Sequence, residues 1–379
     1  MPIAIVKNVL VNTREPIANE NEPEEQKSKS FSHFKRILLI RCFFGYNYLP
    51  IQTSYITSIV FKLYCISICA ATSLFTLLTL NDLEYYSYVF VVSEYILTVF
   101  VSVMISSPDR DGFFRKLDIL DSRLAIQIDY YKKLKTVHII IVCVSAISRT
   151  FFAISFCFCF NDICSTINII VSNFISLAVD INQLPRVIIL YIIYYQMKML
   201  RINVQNSTKT APKIVDKFKS CSLNDYLHSY KELLDYVDLI QATLTPLYLL
   251  SLICCFPKIM ALMYNILRQS RKNVSILSMI ILSVQALQWG VLPCLPAIVA
   301  EYTGAEVNKL KLHLMHLYIT SNDPNKRDDL DQFMRYLDVR PYQYNIWKLI
   351  RIDMSLPVNL LSICTTYIIV IIQFSHLFG

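Results

Sequence analysis

The chain has 379 residues, of which 55% are hydrophobic and only 17% charged, with a mean hydropathy of +0.45 and a net charge of +8. The apolar share is too high for a soluble domain, and five glycines in the whole chain argue for helices over strands. Several apolar runs reach the roughly 20 residues that a membrane helix needs.

Residues 1–54 read as a cytoplasmic tail and lead-in. The opening MPIAIVKNVLVNTREP has no apolar core leading to a small-residue cleavage site, so the first membrane helix is expected to do the targeting. The mixed-charge run ENEPEEQKSKS reads as disordered. Seven apolar segments follow, at 55–80, 84–106, 136–160, 166–197, 242–265, 276–300 and 353–377. Twenty-nine Lys or Arg lie in the tail and the three long connections, and three lie in the short connections. Positive residues stay on the cytoplasmic side, so the amino terminus is inside and the carboxyl terminus outside. Spread in this way, the bases are topology signals, and no nucleic-acid partner follows from them.

The long connections carry helical patterns of their own. Phe113, Leu117, Leu120, Leu124, Ile128, Tyr131 and Leu134 recur every three or four residues. With no Gly or Pro between Gly112 and Pro185, segment three should extend well into the cytoplasm. Leu223, Tyr226, Tyr230, Leu233, Val237 and Ile240 do the same ahead of segment five, and Val307, Leu310, Leu314 and Leu317 after segment six. SNDPNKRDD breaks that last helix, and Arg340-Pro341 ends a further short one. The predicted fold is an all-α polytopic membrane protein with seven transmembrane helices, extended cytoplasmic helices and an intracellular amino terminus.

Segments two, three and four each carry an ionisable residue near mid-span: Glu94, Arg149 and Asp180. Charges in hydrocarbon are costly and usually paired, so Arg149 is expected between the two acids, as a brace or as the floor of a ligand pocket. Lys258 and Arg186, each following a proline, read as shallower, and Arg186 as snorkelling. On segment six, Gln285, Gln288 and Trp289 share one face at i, i+3, i+4. That set suits a polycyclic or glycosylated ligand, or plain packing. Tyr95, Phe152, Asn173 and Tyr264, with Tyr86 and Phe156, are further pocket candidates.

The last segment ends in TTYIIVIIQF, from Thr365 to Phe374. Thr366 is seven residues before Gln373, and Asn359 seven before that, so all three form one polar stripe along an apolar helix. Val370 lies about 60° from Gln373. The stripe suits hydrogen bonds to neighbouring helices or a water-filled pore shared by several subunits.

Thr366-Tyr367, five hydrophobic residues and Gln373-Phe374 resemble the carboxyl-terminal signature of insect gustatory receptors, and YNIWKLIRIDMSLPVNLLSIC is similar to that family's lead-in. The chain length is closer to the bitter-type members. The resemblance implies a ligand-gated non-selective cation channel, built as a homotetramer in the plasma membrane of a chemosensory dendrite and opened by a small plant-derived tastant. It implies a ligand-binding unit at 55–300, with cytoplasmic extensions 107–135 and 198–241, and anchor helices at 301–352. A pore-lining helix with a short extracellular end would occupy 353–379. Gln373 and Phe374 would then sit at the gate, passing monovalent and divalent cations, with Thr366, Val370 and Asn359 along the pore and Tyr367 in packing.

Other readings are weaker. A G-protein-coupled receptor needs the opposite orientation, and a transporter wants broken helices in two matching halves. An odorant receptor subunit shares the topology and is the nearest alternative. The twelve cysteines lack zinc-ligand spacing, and nine lie in apolar segments. No metal, cofactor or enzymatic motif is expected. A disulfide among Cys157, Cys159 and Cys164, and a glycan at Asn273, stay open.

Overall fold

The structure is a computed structural model describing residues 39–47, 55–79, 86–104, 119–121, 123–124, 128–159, 166–209, 222–271, 276–346 and 350–377. Its principal helices are α1 (Tyr55–Thr79), α2 (Tyr86–Met104), α3 (Ile128–Cys159), α4 (Thr166–Lys209), α5 (Leu223–Arg271), α6 (Ile276–Thr320), α7 (Pro324–Val339) and α8 (Ser355–Leu377). Between α7 and α8, β1 (Asn345–Ile346) and β2 (Ile350–Arg351) form a two-stranded antiparallel hairpin that the sequence pattern does not signal.

The seven apolar segments fall in α1–α6 and α8. Stretches in α1, α4, α5 and α6 are long and apolar enough to cross a membrane; Tyr88–Met104, Ile139–Ser155 and Ser355–Val370 are shorter apolar stretches of α2, α3 and α8. Exposed Ile56, Val60 and Leu63 on α1 and Val144, Ile147 and Phe151 on α3 give those helices outward apolar faces suited to lipid. α4 is central: 78% of its apolar window is buried, against 22% for α1.

α4, α5 and α6 have 44, 49 and 45 residues. At 1.5 Å per residue they far exceed a hydrocarbon core of about 30 Å, so they project beyond it. Their projecting ends bury the expected stripes: Tyr230, Leu233, Val237, Ile240, Val307, Leu310 and Leu314 share one core with Phe333 and Leu337 of α7. Pro324 opens α7, and the Asp323 carboxylate accepts from the Asn325 N–H as its cap. Arg340 then pairs with Asp235 and Asp238 of α5, both at 2.6 Å. The Gln241 side chain donates to the Asn345 carbonyl, and the Ile352 N–H donates to the Tyr344 carbonyl. The approach to α8 is thereby bolted onto α5.

Of the stripe expected ahead of segment three, Leu120 and Leu124 are buried, while Phe113 and Leu117 lie outside the described residues. α3 is described from Ile128; ahead of it the Leu124 N–H donates to the Leu120 carbonyl, and Asn203 of α4 donates to the Leu124 carbonyl at 3.1 Å. Part of the lead-in packs into the bundle. Residues 39–43 form a helical turn, and Arg41, Cys42, Phe44 and Tyr46 are buried. Gly45, at φ 80°, closes that turn, while the Tyr46 N–H reaches back to the Arg41 carbonyl. Tyr95 of α2 donates to the Phe44 carbonyl at 2.9 Å, and Arg41 donates to Asn182 of α4 at 2.5 Å.

Candidate functional site

Two features stand out: a charged layer inside the helix bundle and a polar face on α8. Glu94, Arg149, Asp180, Lys258 and Trp289 lie within about 15 residues of the outer ends of α2–α6, which places them at similar depth, roughly 12–21 Å along the helices. All five are buried.

Arg149 meets Asp180 through two parallel bonds, Nε to Oδ2 at 2.7 Å and Nη2 to Oδ1 at 2.8 Å. Such a fork is the strongest geometry a guanidinium and a carboxylate form. Arg149 does not bridge to Glu94 as expected. Glu94 pairs with Lys258 of α5 instead, because α2 lies along α5 while α3 packs on α4 and α6. Lys258 is as deep as the others, since α5 runs on to Arg271. Arg186 does not snorkel either: it is 3% exposed and donates to the Leu247 carbonyl and the Ser251 hydroxyl, at 2.9 and 3.0 Å.

Trp289 joins the two ion pairs. The Arg149 guanidinium and the Lys258 ammonium each lie 5.7 Å from its ring centroid, within cation–π range. Gln288 donates to Asp180 at 3.0 Å and accepts from Ser148 at 3.0 Å. Gln285 is half-buried on the same helix. Tyr95 is committed to the 39–47 segment, with its ring 5.9 Å from that of Tyr46. Phe152 and Asn173 are half-buried, and Asn173 donates to Thr150 at 3.5 Å. Tyr264 is 46% exposed. The side chains of Tyr86 and Phe156, the three cysteines Cys157, Cys159 and Cys164 as a set, and Asn273 lie outside what is described.

On α8, Leu360 and Cys364 pack against Cys255, Phe256, Ile259 and Met263 of α5. The Tyr367 ring lies 5.4 Å from Phe256. Gln373 is nine residues beyond Cys364, about 180° around the helix, and Thr366 and Asn359 fall within about 40° of it. All three are exposed, as is Val370. The polar stripe therefore points away from the chain's own bundle. The Thr366 hydroxyl is satisfied by the Ser362 carbonyl at 3.0 Å, whereas an amide has donors and acceptors to offer outward. The Phe374 side chain is outside the described residues.

Residues 53–378 match the family model described as 7tm chemosensory receptor. The chain belongs to the 7tm chemosensory receptor family. The receptor is similar in fold to the insect olfactory receptor OR5 from Machilis hrabei, with a TM-score of 0.60 at 13% identity over 91% of this chain and all of that one. The structure of that protein in complex with eugenol aligns over the same shares at 13% identity, with a TM-score of 0.56. No curated protein sequence matches the receptor. The family is one of chemosensory receptors and not of enzymes.

Proposed function

We propose that the receptor is a ligand-gated, non-selective cation channel of gustatory type, assembled as a homotetramer in the plasma membrane of chemosensory dendrites. The observation that carries this is the stripe Asn359, Thr366 and Gln373, exposed on the face of α8 opposite its contact with α5. Amides and hydroxyls facing outward from one subunit suit a pore shared by several, where Gln373 and Phe374 form the gate and Val370 supplies apolar wall. A small plant-derived bitter compound, held among α1–α6 and above the Trp289 layer, opens it. Support for a small aromatic ligand comes from the insect olfactory receptor solved with eugenol.

The Thr366-Tyr367 and Gln373-Phe374 pairs favour the gustatory reading over an odorant subunit. Patch recording from cells expressing this chain alone tests it. Discrete ligand-evoked current steps, altered in Gln373→Ala at matched surface level, are expected. Current that appears only with a co-expressed partner indicates the odorant reading, and saturable uptake without steps indicates a transporter.

A further inference from the structure

The two buried ion pairs leave two polar atoms unused. Glu94 binds Lys258 through Oε2, and among the described residues its buried Oε1 has no hydrogen-bond partner. Arg149 spends Nε and Nη2 on Asp180, and its buried Nη1 likewise has none among the described residues. The two residues are 0% and 2% exposed. An unused buried polar atom is costly, and more so on a charged group. Both pairs border one indole, since their cations each lie 5.7 Å from the Trp289 ring. The open acceptor and the open donor thus belong to the two ion pairs that meet at Trp289.

The charges at this place cancel: Glu94 with Lys258, Asp180 with Arg149. An ionised ligand would add a charge without a counterpart where desolvation is expensive. Hydroxyl groups fit best, because each both donates and accepts.

We propose that Glu94, Arg149 and Trp289 form a recognition site for neutral, hydroxyl-bearing ligands: phenols, alcohols or glycosides, and not ammonium compounds. The ligand hydroxyl donates to Glu94 Oε1, a hydroxyl oxygen accepts from Arg149 Nη1, and the ligand carbon skeleton lies on the indole. This rests on the reading of the receptor as a channel opened by small molecules.

The test is whole-cell recording from the full chain against plant phenols and glycosides, eugenol and salicin among them. Each is paired with its O-methyl ether, and aromatic quaternary ammonium ions form a third class. Hydroxyl compounds are expected to open the channel at concentrations at least about tenfold below their ethers, with the cations inactive. In the double variant Glu94→Leu/Lys258→Met, which removes the pair without stranding a charge, that ratio should collapse to about one. Glu94→Gln, nearly the same shape, should give an intermediate ratio and serves if the double variant does not reach the surface. Equal potency of phenols and ethers in the wild type, activation by the quaternary ions, or an unchanged ratio in both variants overturns the site while leaving the channel reading intact. A chain present at the surface that passes no current with any class removes the channel reading, and the site with it.

Discussion

Lys258 on α5 and Glu94 on α2 form an ion pair in which each side chain is 1% exposed. Removing one partner from such a pair strands a charge and costs about 3–5 kcal/mol, whereas replacing both with apolar groups is often neutral. Lys258→Met should therefore lower the yield of folded receptor sharply, and Glu94→Leu/Lys258→Met should recover most of it. Surface biotinylation with fluorescence-detected gel filtration checks this; a single variant as abundant as the wild type would show that the pair contributes little.

Trp289 holds both ion pairs by its ring and accepts a bond from the Cys255 thiol at 3.3 Å through its carbonyl. Trp289→Ala removes a buried indole and should cost about 3–5 kcal/mol, visible as a fall in surface level. Trp289→Phe keeps an aromatic face for the cations and should reach the surface, with a raised agonist concentration for half-maximal current. An unchanged dose–response curve in both variants would make this tryptophan a spacer only.

Glu306 lies at the cytoplasmic end of α6, 2.7 Å from Arg201 and 2.8 Å from Lys309. Burial pulls its carboxyl upward, but Lys309 and Arg201 outweigh it and hold the group below the ordinary carboxylate range. A folded value below the unfolded one gives stability that is complete above the unfolded value and is lost as pH falls through the folded one. Glu306→Gln should melt earlier than the wild type at pH 7, by about 2 kcal/mol, with the gap closing as the buffer is acidified below about pH 4. Thermal denaturation of purified receptor across that range measures it. A gap that is constant with pH would assign the effect to packing.

The membrane helices were legible because a long apolar run and a bias of basic residues each leave a signal along the sequence itself. The cytoplasmic extensions of α5 and α6 were legible for a similar reason: Tyr230 to Ile240 and Val307 to Leu314 keep a helical period, and one continuous core buries them. The partner of Glu94 was not, because Lys258 is 164 residues away and only the packing of α2 on α5 brings them together. Drawing segment five to 265 made Lys258 look shallow; the continuation of α5 to Arg271 puts it at mid-span. Arg186 misled in another way. A lone arginine beside a proline suggests snorkelling, yet α5 supplies it with a carbonyl and a hydroxyl inside the bundle. The burial of Arg41 was not legible either, because its partner Asn182 is 141 residues away.

The central claim is that the stripe on α8 faces an ion pathway, and cysteine accessibility tests it most directly. Cysteines placed singly at Asn359, Thr366 and Gln373 would be exposed during whole-cell recording to a membrane-impermeant, cationic methanethiosulfonate. Leu360, which packs towards α5, serves as the control. The account predicts an irreversible change in ligand-evoked current at the three stripe positions, with modification faster in the presence of ligand, and no change for Leu360→Cys. Unaltered current at all three stripe positions, or modification at Leu360 alone, would contradict it and leave the stripe as a surface for helix packing.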